Sequence, residues 1–403
     1  MKKIIKGWVQ SILRKNTVKV LQKNYPDIIG ITGSVGKSSA KEAIYQVLSK
    51  SKKFTGKVRK SSGNFNTEIG TPLSILNFNK VPKFYEWPFV LILAFLRANL
   101  SWLNPLKNFS TLILEFAADK PDDIYYLTSF IKPRIAVITY IGEAHLEFFD
   151  SIDQIAIEKA NIVRVVPKEN GFVILNSDND YCWRIGLALK GRKEVIFYGS
   201  SDKADLRVSD IKFDFNGTDF KISYKNVKKD VHLQTIGQSQ VYAALAAIAV
   251  GIADRIELDE IIYNLLDYKS LAGRDKVLDG ISGSKIIDSS YNANPSSMKA
   301  ALETLKNLKT NGEKIAVLGG MKEIGKISSD AHKEIAELAK NIADKVILIG
   351  DDFKSEKANK WFKTSDEATK FLLDKIEKDD IILIKGSHAI QMENIVRTLI
   401  AHK

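Results

Sequence analysis

Residues 27–50 read DIIGITGSVGKSSAKEAIYQVLSK. The first six are apolar and β-branched apart from Asp27 and Gly30, which fits a short buried strand. Gly33 to Gly36 form a turn. From Lys37 the apolar positions recur at helical spacing. A strand, a glycine turn and a helix in that order open an α/β nucleotide fold. Glycines let backbone N–H groups face a phosphate, and the helix N-terminus adds partial positive charge. In such a loop Lys37 reaches β- and γ-phosphates and the Ser38 hydroxyl serves a magnesium ion. Gly33, Ser34, Gly36 and Ser39 complete the cradle. Strict spacing of the common phosphate-loop pattern would put Gly where Ile31 stands, so the turn is a variant.

Outward from this stretch, the 403 residues suggest two or three domains. Strands are predicted at 112–116, 135–140, 172–175 and 194–198, with helices between them. Residues 205–233 show shorter β alternation, with turns at Asn216-Gly217 and Lys225-Asn226. Residues 241–252 form an Ala-rich buried helix. After a linker at 267–273 the βα alternation restarts, with strands at 285–288, 314–318, 345–349 and 381–384. The fold class expected is α/β: a central phosphate-loop domain with a mostly parallel sheet (27–268), and a C-terminal Rossmann-like domain (269–403). Residues 1–26 form a basic amphipathic segment in which Ile5, Trp8, Ile12 and Leu13 fall near one helical face.

Lysine and arginine number 60 against 48 acidic residues, a net charge of +12. The excess favours anionic partners. Seven basic residues and no acid lie in 1–23, and six with no acid in 50–60. No nucleic-acid recognition motif accompanies the charge, so no nucleic-acid partner is expected. The one cysteine, Cys182, excludes a disulfide framework and a Cys-cluster zinc site within the chain. A reducing cytoplasm is the expected compartment. The run WPFVLILAFL at 87–96 is too short to span a bilayer as a helix, since about 20 residues are needed. It reads as a buried helix, or as one that dips into a membrane beside the basic N-terminal segment.

Further chemistry-bearing residues lie at predicted strand ends, where open α/β sheets build sites. They are Glu115, His145, Lys159 on the helix that follows, and the turn DSSYNANP at 288–295. With these in place the chain resembles the Mur ligases, ATP-dependent amide-forming enzymes of peptidoglycan precursor synthesis. Within them it is most similar to the D-alanyl-D-alanine-adding branch. The likeness is carried by GITGSVGKSSAKEAI (30–44), GNFNTEIGTPLSIL (63–76), LEFAADKPDDIYYL (114–127), IGEAHLEFF (141–149), EKANIV (158–163), DSSYNANPSSMKAAL (288–302), AVLGGMKEIG (316–325) and IKGSHAIQME (384–393).

The resemblance implies roles. Lys37 and its loop would hold ATP, with Asp288 and Asn292 at the nucleoside and Arg274 at the phosphates. Ser38 and Glu115 would bind one magnesium. His145 would bind a second, helped by Lys159, which is carbamylated in many members. Asn66, Thr67, Asn294, Lys385 and Ser387 would serve the acid and amine substrates. The implied mechanism is physically coherent. A carboxylate is a poor electrophile, and transfer of the γ-phosphoryl group makes an acyl phosphate with a good leaving group. Magnesium and Lys37 screen the repulsion between two anions, and an amine then attacks the acyl carbon. The implied partners are a cell-wall precursor acid and an amino acid or dipeptide amine, met by a monomer, with peripheral membrane contact as a further expectation.

Ser38 and Ser39 stand where the family usually has Thr, which keeps the hydroxyl, and five further sites depart from the family pattern. Phe116-Ala117 replaces Met-Gly, Ser239-Gln240 replaces His-Asn, and Asn161 replaces an acid. Ser289 and Gly320 each stand where the family has an aspartate. The 26 residues before the first strand are too few for the uridine-nucleotide domain of typical members. The expectation from this is an acid substrate recognised without its uridine, bound to lipid or to neither.

Overall fold

The computed structural model describes residues 3–54, 56–63 and 65–401. Asn64 of the 63–76 motif lies outside them. Two compact units emerge. The first comprises the chain up to Ile141, with Asp153–Arg207 and Ala243–Leu265. The second comprises Gly142–Ile152, Val208–Tyr242 and the chain from Leu266.

In the first unit the quoted stretch forms β1 (Asp27–Thr32) and α2 (Lys37–Lys50), after an N-terminal helix α1 (Lys3–Asn24). Then come β2 (Val58–Lys60), α3 (Gly70–Ile75), α4 (Trp87–Asn99), β3 (Thr111–Glu115), α5 (Asp123–Thr128) and β4 (Ile135–Ile138). They are followed by α6 (Ile152–Arg164), β5 (Phe172–Asn176), α7 (Asp180–Leu189) and β6 (Glu194–Gly199). The strands lie parallel in the order β2-β3-β1-β4-β5-β6. β1 is central and its five residues from Ile28 are all buried. A strand covered on both faces needs such an unbroken apolar run. The C-terminal ends of β1, β3 and β4 therefore come together, and the site grows from them.

β7 (Leu206–Asp214), β8 (Gly217–Tyr224) and β9 (Val227–Leu233) are the expected β excursion; β8 and β9 pair antiparallel. α8 (Gln238–Ala253) is the Ala-rich helix; from Ala243 the chain is again part of the first unit, as is α9 (Leu258–Leu265). From Leu266 the second unit contains β10 (Lys276–Asp279), β11 (Lys285–Ser289), α10 (Pro295–Asn307), β12 (Lys314–Gly319), α11 (Ser328–Lys340), β13 (Lys345–Ile349), β14 (Lys360–Phe362), α12 (Ser365–Leu373), β15 (Ile381–Lys385) and α13 (Glu393–Leu399). The sheet order is β10-β11-β15-β12-β13-β14, parallel except for the edge strand β10. Alternate residues feed two cores. Ile287, Leu318 and Leu383 pack with α10 and α11, while Ile286, Val317 and Ile384 pack with α12 and α13.

Two local expectations change. The buried stripe of α1 is Val9, Leu13, Thr17 and Val20, whereas Ile5 and Trp8 are exposed. α4 is a helix as predicted, but not a buried one. Only Trp87, Ala94 and Ala98 are buried, and Phe89, Ile92 and Phe95 face solvent. An unbroken apolar run carries no period, so its wet face could not be read from the sequence.

Candidate active site

The loop after β1 is held from behind by the residues just past β4. Thr139 Oγ1 donates to Val35 O at 2.5 Å, and the Ser34 N–H donates to Tyr140 O at 2.7 Å. A Cβ on Gly33 would lie 2.0 Å from Thr139 Oγ1, so a side chain there would lever the loop out. Gly36 starts α2 at φ 85°, a backbone that glycine adopts freely. Lys37 Nζ donates to Gly33 O at 2.7 Å and so lies over the loop. The glycines, the packed backing and the helix N-terminus are what a polyphosphate requires.

Beside the loop, β3 ends in Glu115, whose side chain is 3 % exposed. Ser38 Oγ donates to its Oε2 at 3.0 Å, and Asn66 Nδ2 to its Oε1 at 3.2 Å. Lys41 Nζ, equally buried, lies 3.5 Å from Oε2. Lys41 was not foreseen. The signal was its position one turn beyond Lys37 and three residues beyond Ser38, on one helix face. Among the described residues no three His, Cys, Asp or Glu gather closely enough to hold a metal. One hydroxyl and one carboxylate are too few for zinc but fit magnesium, which keeps its waters and takes its other oxygens from phosphates. Of the expected substrate residues, Asn66 is tied to Glu115, and Thr67 Oγ1 accepts the Gly70 N–H at the start of α3.

Lys159 on α6 is 2 % exposed. Burial, and then the charge of Lys37, lower its pKa from 10.5 to about 7. Its neighbour Glu158 accepts the backbone N–H groups of Asp122 and Ile124 at 3.0 and 2.6 Å. Asn161, standing where the family has an acid, donates to Glu158 Oε2 and accepts from Arg164 Nη1. That amide bridges a carboxylate and a guanidinium, which a second carboxylate could not do without repulsion.

The other expected residues belong to the second unit. His145 has φ 61°, and its Nδ1 lies 2.8 Å from the Glu323 carboxylate. Asp288 is buried and accepts from the Gly273 N–H and from Ser290. Asn292 Oδ1 accepts the Ala293 N–H. Lys385 Nζ donates to Asn292 O at 2.9 Å, and burial lowers its pKa to about 8. Ser387 Oγ accepts the Lys322 N–H at 2.8 Å. Arg274 lies over the Tyr291 ring, 4.1 Å from its centre.

Asn294 caps α10: its Oδ1 accepts the Ser297 N–H at 2.9 Å, and Ser297 Oγ accepts the Asn294 N–H at 3.0 Å. Replacing Asn294 by Ala is therefore expected to cost about 1 kcal/mol of stability, and by Asp almost none. Denaturant unfolding of both variants checks this.

The departures find partners. Ser239 Oγ and Ser289 Oγ both donate to the carboxylate of Asp275. Gln240 joins Tyr268 OH at 2.7 Å to the Arg274 carbonyl at 3.0 Å. Two serines thus surround one aspartate, so the changes at 239 and 289 form a single hydrogen-bonded cluster. At Gly320, a Cβ would sit 2.3 Å from Asp352 Oδ2. The Asp352 carboxylate occupies the space into which any side chain at position 320 would grow, and it pairs with Lys322 at 2.5 Å. None of these partners could be picked out from sequence, because they lie 14 to 36 positions apart.

Comparison with known proteins meets this geometry. Residues 31–251 match the Mur ligase middle domain, and residues 273–388 match the Mur ligase, glutamate ligase domain. The chain belongs to the Mur ligase family. It is 30% identical to the UDP-N-acetylmuramoyl-tripeptide–D-alanyl-D-alanine ligase of Bacillus subtilis (strain 168), over 94% of this chain and 77% of that one. To the Escherichia coli (strain K12) enzyme of the same name it is 28% identical, over 92% and 76%. Among solved structures it resembles the MurF ligase from Thermotoga maritima in complex with ADP. The TM-score is 0.81 and the identity 27%, over 96% of this chain and 83% of that one.

Proposed function

We propose that this chain is an ATP-dependent ligase of cell-wall precursor synthesis. It joins D-alanyl-D-alanine, or a similar amine, to the carboxylate of a muramoyl peptide through an acyl phosphate. The observation that carries the reading is the buttressed loop of residues 33–37 with Ser38 hydrogen-bonded to the buried Glu115. Its relatives named UDP-N-acetylmuramoyl-tripeptide–D-alanyl-D-alanine ligase, and the MurF structure with ADP, support the amine and the nucleotide.

In this reading the loop N–H groups and Lys37 hold the β- and γ-phosphates, leaving the terminal phosphoryl exposed to an incoming carboxylate. Ser38 and Glu115 would hold one magnesium ion and His145 a second; bound there, the metal neutralises charge between two anions. Lys159 is suited to carbamylation. With a pKa of about 7, much of it is the neutral amine that attacks CO2. A nitrogen–carbon bond forms, a proton leaves, and the product is an anionic carbamate. Arg274, Asp288 and Asn292 are assigned to the nucleotide, and Lys385 and Ser387 to the amine. The working unit is a monomer without nucleic acid, acting in the cytoplasm at the inner face of the membrane. The sequence division at 268/269 is the proposed boundary between the two catalytic domains.

A second reading concerns only the carrier of the acid, which is lipid in place of UDP; the wet apolar face of α4 favours it. ADP release with magnesium tests both readings. Muramoyl tripeptide is supplied with UDP, with a lipid carrier or with neither, each with D-alanyl-D-alanine or single amino acids. Turnover that requires both acid and amine supports the ligase, and the preferred carrier decides between the readings. ADP release indifferent to both substrates would overturn them.

A further inference from the structure

The face of α4 turned away from the protein carries Phe89, Ile92 and Phe95, which at spacings of three residues share one side of the helix. Phe84 and Tyr85 stand before the helix and Trp102 after it, all exposed, Trp102 by 75%. A contiguous patch of large apolar side chains is not left bare on a soluble surface without a partner. The opposite side, Trp87, Ala94 and Ala98, is buried, so the exposure is fixed by packing.

α1 lies against α4 and ties itself to that helix's end. Lys23 Nζ donates to the Ala98 and Asn99 carbonyls at 2.8 and 3.1 Å, and Lys19 to the Asn99 side chain. α1 carries no acid. Besides the two lysines that hold α4, its Lys6 pairs with Glu68 at 2.6 Å and its Arg14 lies over the Tyr126 and Phe130 rings. That leaves the exposed Lys15 and a Trp8 that is 72% exposed to face outward. Residues 80–107 add Lys80, Lys83, Arg97 and Lys107 against one acid, Glu86. Aromatic side chains at the ends of an apolar strip, rimmed by lysine and arginine, match the boundary between headgroups and acyl chains of an anionic bilayer.

We propose that α4 and the residues around it form an in-plane docking surface for an anionic lipid bilayer. The strip enters the boundary of one leaflet, and the exposed Lys15, Lys80, Lys83 and Lys107 meet its headgroups. The helix lies in the plane and does not cross. Its 13 residues make about 20 Å against about 30 Å of hydrocarbon. No helix among the described residues is long and apolar enough to cross. This rests on the membrane-face part of the proposed function and not on the ligase chemistry.

The full chain is sedimented with vesicles of phosphatidylcholine alone or mixed with phosphatidylglycerol, and its tryptophan emission is recorded. Expected are pelleting with the anionic vesicles, weaker binding as salt rises, and a blue shift from Trp8 and Trp102. The triple variant Phe89→Ser, Ile92→Ser, Phe95→Ser, altered only at exposed positions, is expected to lose at least about ten-fold in bound fraction. Its ADP release with soluble substrates should equal that of the wild type. Wild-type chain left in the supernatant with both vesicles, or a variant that pellets like the wild type, overturns the surface. So does a wild-type dimer that ignores vesicles and is lost in the variant, which would make the face a contact between two copies. Vesicle binding by a chain that turns over no precursor would uphold the surface and remove the ligase reading.

Discussion

Lys37→Ala is expected to lower the rate of ADP release by about 10³-fold while leaving thermal unfolding unchanged. The ammonium donates to the Gly33 carbonyl at 2.7 Å, and that contact is part of a loop already held by Thr139 and by the Tyr140 carbonyl. Stability should therefore barely register its loss. The reaction depends on it far more. An anionic carboxylate must approach a phosphoryl group that already bears negative charge. A positive group fixed beside the developing charge, away from bulk water, lowers that barrier by several kcal/mol. Lys37→Arg tests geometry as well as charge, since a planar guanidinium cannot take the place of a compact ammonium folded over a tight turn. Steady-state ADP release and a melting curve, measured on the same preparations, decide the matter. Wild-type turnover by Lys37→Ala would contradict the phosphate assignment.

Lys159→Met is expected to move activity and stability in opposite directions. Met fills a similar volume with no charge. The Lys159 ammonium is held in a dry site near the positive Lys37, which brings its pKa from 10.5 to about 7. Between those values the unfolded chain binds a proton that the folded chain does not. Stability then rises with pH across that window, and below about pH 7 the folded protein carries the whole penalty. Removing the amine should thus stabilise bicarbonate-free protein by on the order of 4 kcal/mol at pH 7, with the advantage shrinking toward pH 10. Turnover should fall by about 10²-fold or more, because the carbamate proposed on Lys159 could no longer form. Denaturant titrations at pH 7 and 9.5, with ADP release on both proteins, check the two signs. A variant as stable as the wild type at both pH values would mean that the amine is not desolvated in the folded chain.

How much of this was open to a reader of sequence depends on distance along the chain. The phosphate loop was legible because strand, turn and helix occupy 24 consecutive residues. Glu115 was legible because a strand end has a known place in a parallel sheet. The Asp275 cluster was not, because hydroxyls at 239 and 289 meet the carboxylate only after the second unit folds. Gly320 looked like a lost acid for the same reason; Asp352, which fills its space, is 32 positions away. Asn294 shows the reverse. The resemblance implied a substrate contact for Asn294; an Asn before Pro at a helix start is also a cap, and its hydrogen bonds in the folded chain go there. α4 was legible as a helix and illegible as a surface, since Trp87 to Leu96 offers no polar residue to mark the outward side.

The Glu115–Lys41 pair has one further consequence, for the order in which ligands arrive. A buried carboxylate alone would attract any divalent ion from solution. Here Lys41 already balances it at 3.5 Å, and Ser38 and Asn66 each donate a hydrogen bond to one of its oxygens. The resting site is electrically settled, and an incoming cation must displace a lysine's attraction to gain one oxygen. Only a cation that brings its own anion changes that balance, because the phosphates supply the negative charge that Lys41 has cancelled. If magnesium binds at Ser38 and Glu115 as proposed, Lys41 would favour a metal already chelated by the nucleotide over a bare divalent ion.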